Sequence, residues 1–239
     1  MSGCTLPVAI LSGGLATRLR PLTEAIPKAL LELNGEPFIA HQLRLLSSRG
    51  IERVVLCVGY RGEMIRDFVG DGGRFGLHVA VVFDGPILLG TAGAIRHAVP
   101  LLGENFFVLY GDSYLPCDYS AVCSAFLRSG KPGLITVFRN EGQFDTSNVE
   151  FRDGQILRYD KKNSTPEMHH IDYGLGAFHA DVFTALPEGV PCDLATVYQN
   201  FLSAEELAAF EVPERFYEIG SLQGIEETAA YLRRARGQR

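Results

Sequence analysis

The feature that most constrains the fold is a series of short, continuously apolar segments separated by amphipathic ones. The apolar segments are rich in Val, Ile, Leu and Phe and occupy residues 8–11, 54–58, 79–83, 106–110 and 134–138. Continuous rather than alternating apolarity is typical of strands that are covered on both faces. The stretch Phe38–Ser48 between the first two has a largely apolar helical stripe. This alternation predicts an α/β fold with a mostly parallel central sheet and helices on both faces.

The second half of the chain has a different pattern. Shorter apolar segments at 149–151, 156–159 and 174–178 are separated by polar turns, which predicts a small antiparallel extension of the same sheet. A final helix is expected after Ser221, a favourable N-cap residue. Because the chain has no internal repeat, low-complexity linker or break in composition, we expect residues 1–239 to form a single domain.

Charge and cysteine usage narrow the classes of partner. The chain has 28 acidic and 22 basic residues, a net charge of −6, so no overall positive field attracts nucleic acid or an anionic membrane. Its five cysteines cannot all pair, and no Cys-x-x-Cys occurs. The start of the chain lacks the basic flank of a signal peptide, and no apolar run reaches the ~18 residues of a membrane span. We therefore expect a soluble protein of the reducing cytoplasm, with no nucleic-acid or membrane partner.

The densest chemical signal follows the first apolar segment. There the chain reads Leu-Ser-Gly-Gly-Leu-Ala-Thr-Arg-Leu-Arg-Pro-Leu-Thr over residues 11–23, and Pro-Lys follows at 27–28. The adjacent Gly13 and Gly14 allow backbone N–H groups to approach a phosphate closely, and Arg18 and Lys28 add positive charge. A tight turn is the alternative for the glycine pair alone, but the cations favour a phosphate site. The GxxxxGK[ST] and GxGxxG fingerprints are absent here.

An acidic residue follows the apolar segment 106–110. Asp112 comes just after it, and ligands of open α/β sheets bind at the carboxyl ends of the strands. We therefore expect Asp112 to face the same crevice as Gly13 and Gly14 and to bind Mg²⁺, which prefers one or two carboxylates plus phosphates and water. The alternative is that Asp112 caps the next helix, but Asp118 and Ser120 are better placed for that role.

Residues 13–28 resemble the signature of the sugar-1-phosphate nucleotidylyltransferases, which is similar to GGxATRLRPLT followed by PK. The resemblance implies a Rossmann-like fold of the nucleotide-diphospho-sugar transferase type and one nucleotidyltransferase domain. It implies an enzyme that joins a nucleoside triphosphate to a sugar 1-phosphate and releases pyrophosphate, with Mg²⁺ as cofactor. The short chain is similar to mannose- and heptose-1-phosphate guanylyltransferases and N-acetylmuramate-1-phosphate uridylyltransferases, which favours GTP or UTP and a hexose or heptose phosphate.

The resemblance also implies roles for individual residues. The expected nucleotide-binding residues are Leu11, Gly13, Gly14, Gly90 and Thr91. Arg18 and Lys28 are the expected catalytic cations, and Asp112 and Glu218 the expected metal ligands. Asp160, Lys161 and Gly174 are expected to contact the sugar phosphate. Glu218 stands where the family usually has Asp, and its alternative is an exposed position on an edge strand.

No catalytic base is expected. A phosphomonoester has a second pKa of about 6 and is largely ionised at neutral pH. The reaction then needs charge neutralisation and positioning rather than proton transfer. Two alternatives stay open: a non-catalytic regulatory protein that binds a nucleotide sugar, and a cytidylyltransferase acting on phosphocholine or a phosphonate. The identity of the base and sugar, and whether the chain forms a homo-oligomer, also stay open.

Overall fold

A computed structural model describes residues 4–85 and 89–237, except for the side chain of Arg236. The strands are β1 (Val8–Ser12), β2 (Glu32–Leu33), β3 (Glu36–Pro37), β4 (Arg53–Val58), β5 (His78–Phe83), β6 (Asn105–Tyr110), β7 (Ser113–Tyr114), β8 (Gly133–Arg139), β9 (Val149–Arg152), β10 (Gln155–Tyr159), β11 (His170–His179), β12 (Leu207–Glu211) and β13 (Tyr217–Glu218). The helices are α1 (Phe38–Ser48), α2 (Gly62–Val69), α3 (Gly90–Leu102), α4 (Tyr119–Ser129), α5 (Asp181–Thr184), α6 (Leu194–Ser203) and α7 (Leu222–Gly237). Every apolar segment predicted to be a strand lies within a strand, with bounds that differ by a few residues at most.

A nine-stranded mixed sheet forms the centre of the described part of the chain. Seven strands follow the order β10-β9-β11-β6-β1-β4-β5, while β8 pairs with β11 and β12. Strands β6, β1, β4 and β5 are mutually parallel. Strand β11 is antiparallel to both β6 and β8. The predicted mostly parallel core with an antiparallel extension is therefore confirmed.

Helices cover both faces of this sheet. On one face, Leu43 of α1, Ile65 of α2 and Val122 of α4 pack with Val8 and Ile10 of β1. On the other face, helices α3, α5 and α6 pack against the side chain of Ala9 and its neighbours. Successive side chains of a strand point to opposite faces, so β1 has to be apolar at every position. This explains its continuous apolar sequence.

Helix α7 closes the edge where β13 ends. The hydroxyl of Ser221 accepts a hydrogen bond from the Gly224 backbone N–H at 2.9 Å, which confirms the predicted N-cap. Leu232 of α7 is buried in a third apolar cluster with Leu33 and Ile219. The two-residue strand β13 pairs with β7. Neither short strand could be predicted from a repeating pattern.

The cysteines differ from the expectation of free thiols. Cys4 and Cys123 form a disulfide with their Cα atoms 5.8 Å apart, while Cys57, Cys117 and Cys192 are free. No local pattern indicates this pair, because its members are 119 residues apart. The reducing cytoplasm therefore stays a prediction. Across the described ranges, every helix is too short or too polar to traverse a lipid bilayer.

Candidate active site

The glycine loop after β1 is held by close backbone contacts. A Cβ atom on Gly13 would lie 3.0 Å from Oδ2 of Asp84 and 3.3 Å from the Gly59 nitrogen, so a side chain would force one of them to move. Gly14 is exposed, and a Cβ there would meet no atom within 4 Å. The loop is closed where the buried Thr23 hydroxyl donates to the Ala16 carbonyl at 2.8 Å. Gly14 therefore offers its backbone to the cavity beside it.

The two predicted cations lie on short 3-10 turns. Arg18, in the turn Thr17–Leu19, is exposed and makes no hydrogen bond or ion pair with another described residue. Lys28 begins the turn Lys28–Leu30. Its Nζ atom lies 3.0 Å from Oδ2 of Asp112. One cation is thus available to a ligand, and the other is already beside the carboxylate predicted to bind metal.

Backbone hydrogen bonds to Leu11 of β1 and to Ile219 hold Gly111 and Asp112 in place. The Gly111 N–H donates to the Leu11 carbonyl at 2.9 Å, and a Cβ on Gly111 would lie 2.4 Å from that oxygen. The Asp112 carbonyl accepts from the Ile219 N–H at 2.9 Å. The alternative role as a helix cap falls to Asp118, whose carboxylate accepts from two N–H groups at the start of α4. The Asp112 carboxylate is left facing the crevice.

Glu218 lies next to Asp112, but its carboxylate is already engaged. Oε1 accepts from the Ser221 hydroxyl at 2.7 Å, and Oε2 accepts from the Gly220 N–H. The pairing of Glu218 with Ser113 brings it to this edge. A Cβ on Gly220 would contact Oε2 of Glu218 and lie 3.7 Å from Oδ2 of Asp112. The two carboxylates therefore border the same space.

A cavity of about 290 Å³ lies at the carboxyl ends of the parallel strands. It is lined by every predicted nucleotide-binding residue and by both members of the central ion pair: Leu11, Gly13, Gly14, Gly90, Thr91, Lys28 and Asp112. Gly90 has a φ of +72°, and a Cβ there would lie 2.6 Å from the Cys192 carbonyl oxygen. The Thr91 hydroxyl accepts from the Leu194 N–H at 2.7 Å, which ties α3 to α6.

Two further residues of this cavity escaped the sequence analysis. Asp84 follows β5 directly and is 9% exposed. Tyr110 is the last residue of β6. The signal for Asp84 was present, since an acidic residue after a buried strand is the same pattern that identified Asp112.

A second, wider and more polar cavity lies on the other side of the Lys28–Asp112 pair. Its floor is a network around the Asp172 carboxylate, whose side chain is 3% exposed. Oδ2 of Asp172 lies 3.0 Å from Nζ of Lys161 and accepts from the Tyr159 hydroxyl at 3.2 Å. Oδ1 accepts from the Gly174 N–H at 3.0 Å. The predicted Lys161 and Gly174 are therefore brought together by Asp172, two residues before Gly174.

Electrostatic interactions in this network favour the protonated forms of Lys161 and Tyr110. Burial on its own lowers the pKa of Lys161, but the Asp172 carboxylate and the Tyr110 hydroxyl outweigh it and raise that pKa. Burial, reinforced by Asp172, raises the pKa of Tyr110 to about 12. At neutral pH the second cavity thus presents an ammonium group and a neutral phenol.

Asp160 occupies a different place from its predicted partners. Its carboxylate accepts hydrogen bonds from the Lys162 and Asn163 backbone N–H groups at 2.8 and 3.0 Å. These contacts lower the pKa of Asp160. The side chain orders the turn after β10, and Asp160 is not among the residues that line the second cavity. Its contact with the sugar stays a prediction.

The two cavities meet at one wall. Ala16, Lys28, Tyr110 and Asp112 line both of them. A ligand in either cavity would therefore lie against the same ammonium and carboxylate groups. The arrangement can bring two anionic ligands together at one point.

Comparison with known proteins agrees with this architecture. Residues 8–227 match the family model described as nucleotidyl transferase, and the chain belongs to that family. This confirms the family predicted from residues 13–28. The chain is 31% identical over 212 residues to the mannose-1-phosphate guanylyltransferase catalytic subunit beta of Xenopus tropicalis, covering 84% of this chain and 59% of the relative. It is 27% identical over 226 residues to the N-acetylmuramate alpha-1-phosphate uridylyltransferase of Neisseria meningitidis, covering 92% and 96%.

The chain thus spans about three-fifths of the length of the frog relative but nearly all of the bacterial one. Two solved structures share its fold. A putative glucose-1-phosphate thymidylyltransferase from Bacillus anthracis matches with a TM-score of 0.83 at 19% identity, covering 95% of both chains. HddC from Yersinia pseudotuberculosis matches with a TM-score of 0.79 at 22% identity, covering 95% of this chain and 100% of its own. The predicted nucleotide-diphospho-sugar transferase fold is confirmed.

Proposed function

We propose that the protein is a sugar-1-phosphate nucleotidylyltransferase. An oxygen of the sugar phosphate attacks the α-phosphorus of a nucleoside triphosphate, the bond to the β-phosphate breaks, and pyrophosphate leaves. The product is a nucleotide sugar. The observation that carries this proposal is the shared wall of the two cavities, where Lys28 and Asp112 face both.

The nucleotide is assigned to the cavity beside the glycine loop. The exposed backbone of Gly14 suits a phosphate group, because no side chain blocks its approach. Arg18 lines the wider cavity beside Ala16 and Lys28 rather than the nucleotide cavity itself. Because its side chain has no hydrogen-bond or ion-pair partner among the described residues, it is available to the departing pyrophosphate where the two cavities meet. Lys28 lies where the α-phosphate and the sugar phosphate meet. Its fixed charge stabilises the negative charge of the transition state without having to reorganise.

The donor groups also suit Mg²⁺, the cofactor expected from the sequence. Asp112 and Glu218 place two carboxylates on the same space, and Mg²⁺ takes one or two carboxylates together with substrate phosphates and water. Among the described residues no group of three or more His, Cys, Asp or Glu side chains could hold a metal without such help. When bound, the ion neutralises phosphate oxygens. The backbone hydrogen bonds of Gly111 and of Asp112 itself hold the Asp112 carboxylate in place.

The sugar phosphate is assigned to the wider cavity. Lys161 supplies a positive charge there, held in place by Asp172. The similarity to enzymes named as guanylyl- and uridylyltransferases of sugar 1-phosphates disfavours the two alternatives considered from the sequence, a purely regulatory protein and an enzyme acting on phosphocholine or a phosphonate. Cytoplasmic location and a homo-oligomeric state stay predictions.

The test is a pyrophosphate-release screen with Mg²⁺ that crosses ATP, CTP, GTP, UTP and dTTP with the 1-phosphates of glucose, mannose, a heptose and N-acetylmuramate. Release that depends on both substrates, together with a nucleotide sugar identified by mass spectrometry, is the expected result. The Asp112→Asn variant is the negative control. Binding of a nucleotide sugar without turnover for any pair would overturn the proposal in favour of a regulatory protein.

A further inference from the structure

One carboxylate in the nucleotide cavity has no role in the chemistry proposed above. Asp84 stands at the carboxyl end of β5, is 9% exposed and lines the cavity. Its N–H donates to the Val58 carbonyl at 3.0 Å. From residues 4–85 and 89–237, no hydrogen bond or ion pair reaches its carboxylate.

Such a group is costly in the free protein. An ionised carboxylate removed from water is destabilised unless hydrogen-bond donors or a cation compensate for the lost solvation. Burial accordingly raises the pKa of Asp84, and the electrostatic interaction with His97 lowers it by less. Cys57, which also lines the cavity, has its pKa raised to about 12 by burial and by Asp84, so the thiol adds no charge. Because Asp84 lines the cavity, a ligand bound there can supply the compensating donors.

The place of Asp84 in the sheet indicates which part of a nucleotide it meets. Strand β5 is separated from β6 by β1 and β4. With neighbouring strands about 4.8 Å apart, the ends of β5 and β6 are roughly 14 Å apart. If the α-phosphate lies beside Asp112 at the end of β6, the far end of the cavity at β5 receives the base. Gly13, which Asp84 touches, lies between the two.

The pairing edges of the bases differ in what they offer to an ionised carboxylate, which only accepts hydrogen bonds. Guanine presents two adjacent donors, N1–H and the 2-amino group. Uracil and thymine present one N–H between two carbonyl acceptors, while adenine and cytosine present an amino group beside an acceptor nitrogen. We propose that Asp84 selects guanine by accepting a hydrogen bond from each of these two donors. This inference rests on the proposed function and makes GTP the nucleotide substrate.

The test compares GTP with inosine triphosphate, which lacks only the 2-amino group, and with UTP. Equilibrium binding of each nucleotide is measured by calorimetry without sugar phosphate, and kcat/KM is measured with the most active sugar phosphate from the screen. Because one charge-assisted hydrogen bond is lost, we expect the wild-type protein to prefer GTP over inosine triphosphate by ~10- to 100-fold.

Two variants assign that preference to Asp84. Asp84→Ala should bring the GTP to inosine triphosphate ratio close to one. Asp84→Asn should do the same and should also raise the kcat/KM for UTP relative to that for GTP. Its amide offers one donor and one acceptor to the carbonyl and N–H of uracil. Asp67→Asn, an exposed position on α2 paired with Arg66, is the matched control and should keep the wild-type ratios. Melting temperatures verify that every variant is folded.

The outcomes separate this inference from the proposed function. Selective GTP binding that Asp84→Asn abolishes, without turnover of any substrate pair, would support guanine recognition by Asp84 and contradict the proposed function. Turnover with UTP or dTTP preferred over GTP would support the proposed function and overturn the inference. A GTP to inosine triphosphate ratio that Asp84→Asn leaves unchanged, or no selective binding at all, would also overturn it.

Discussion

The Nζ atom of Lys28 lies 3.0 Å from Oδ2 of Asp112, across 84 residues of sequence. Their side chains are 23% and 37% exposed, and a solvent-accessible ion pair of this kind contributes only about 0–1 kcal/mol to stability. The pair therefore does little for the fold. It fixes opposite charges at the wall between the two cavities, where the proposed reaction takes place.

Replacing Lys28 with Met should lower kcat by about 10²-fold or more, because a preorganised charge at the transition state is lost. The melting temperature should fall by no more than about 4 °C. Pyrophosphate release and thermal unfolding measure the two effects. Lys131→Met is the control, since the Lys131 ammonium donates to the Leu207 carbonyl and Lys131 is not among the described residues that line either cavity. A Lys28→Met enzyme within threefold of wild-type kcat would contradict the role of Lys28.

Arg18→Ala should weaken the hold on pyrophosphate. We expect the KM for pyrophosphate in the reverse reaction to rise by ~10- to 100-fold, the effect of losing a hydrogen bond to a charged group. Thermal stability should change little, because the exposed Arg18 side chain makes no hydrogen bond or ion pair with another described residue. Arg20→Ala provides the control: this exposed side chain is two positions away and does not line the wider cavity. Equal effects of the two variants would show that overall charge, not Arg18, is responsible.

Glu218 has two possible roles, which its variants separate. If it binds Mg²⁺, Glu218→Gln raises the Mg²⁺ concentration needed for half-maximal activity, and we expect this result because Glu218 borders the same space as Asp112. Ser221→Ala removes the α7 cap and the hydrogen bond to Glu218 but keeps the Glu218 carboxylate. It should cost about 0.5–2 kcal/mol of stability and raise the Mg²⁺ requirement less than Glu218→Gln does. Titrating Mg²⁺ into chelator-treated protein measures the difference. If Glu218→Gln lowers only the melting temperature, Glu218 is a cap and not a metal ligand.

Lys161→Met should raise the KM for the sugar phosphate by ~10- to 100-fold through loss of a charge-assisted hydrogen bond. The KM for the nucleotide should not change, since Lys161 lines only the wider of the two cavities. Initial rates with each substrate varied in turn measure both constants, with Lys131→Met again as the control. A rise confined to the nucleotide KM would reverse the assignment of the cavities. The same assay on Asp160→Asn tests the predicted contact of Asp160 with the sugar: a raised KM for the sugar phosphate supports it.

Asp84→Asn should stabilise the protein at neutral pH. Burial raises the pKa of Asp84, so the folded state binds that proton more tightly than the unfolded chain does. The resulting stabilisation is complete below the unfolded pKa of about 3.9 and is lost as the pH rises through the higher folded value. The melting temperature of the variant should exceed that of wild type at pH 7, and the difference should shrink as the pH falls toward 4. Thermal unfolding from pH 3.5 to 8 measures it. A lower melting temperature for Asp84→Asn at pH 7 would show that the carboxylate has a stabilising partner.

Local sequence patterns predicted the site residues that come directly after a strand. The continuous apolarity of β1 and β6 predicted both strands. The rule that ligands bind at carboxyl strand ends then placed Gly13 and Asp112 at one crevice. The same rule applied to β5 would have identified Asp84. Its position directly after a buried strand made Asp84 predictable from the sequence.

Other contacts could not be read from local sequence. Lys161 meets Asp172 only because β10, β9 and β11 are neighbours in the sheet, and one sequence does not specify that register. The pairing of β7 with β13 involves two residues on each side, too few to produce a pattern. The hydrogen bonds of Glu218 to the start of α7 depend on the angle at which that helix leaves β13, which no spacing encodes.

Lys28 and Asp112 separate the two cavities, so that residues of one cavity can be substituted while the other cavity is kept. Asp84 lies on one side, directly after β5, and Asp172 lies on the other, on β11, with β6, β1 and β4 between them. Substitutions that retune one pocket leave the other pocket and the reacting centre in place. An ancestor with this arrangement could exchange its base or its sugar one at a time and keep a working enzyme at each step, which gives a physical basis for one scaffold diversifying into many donor–acceptor combinations.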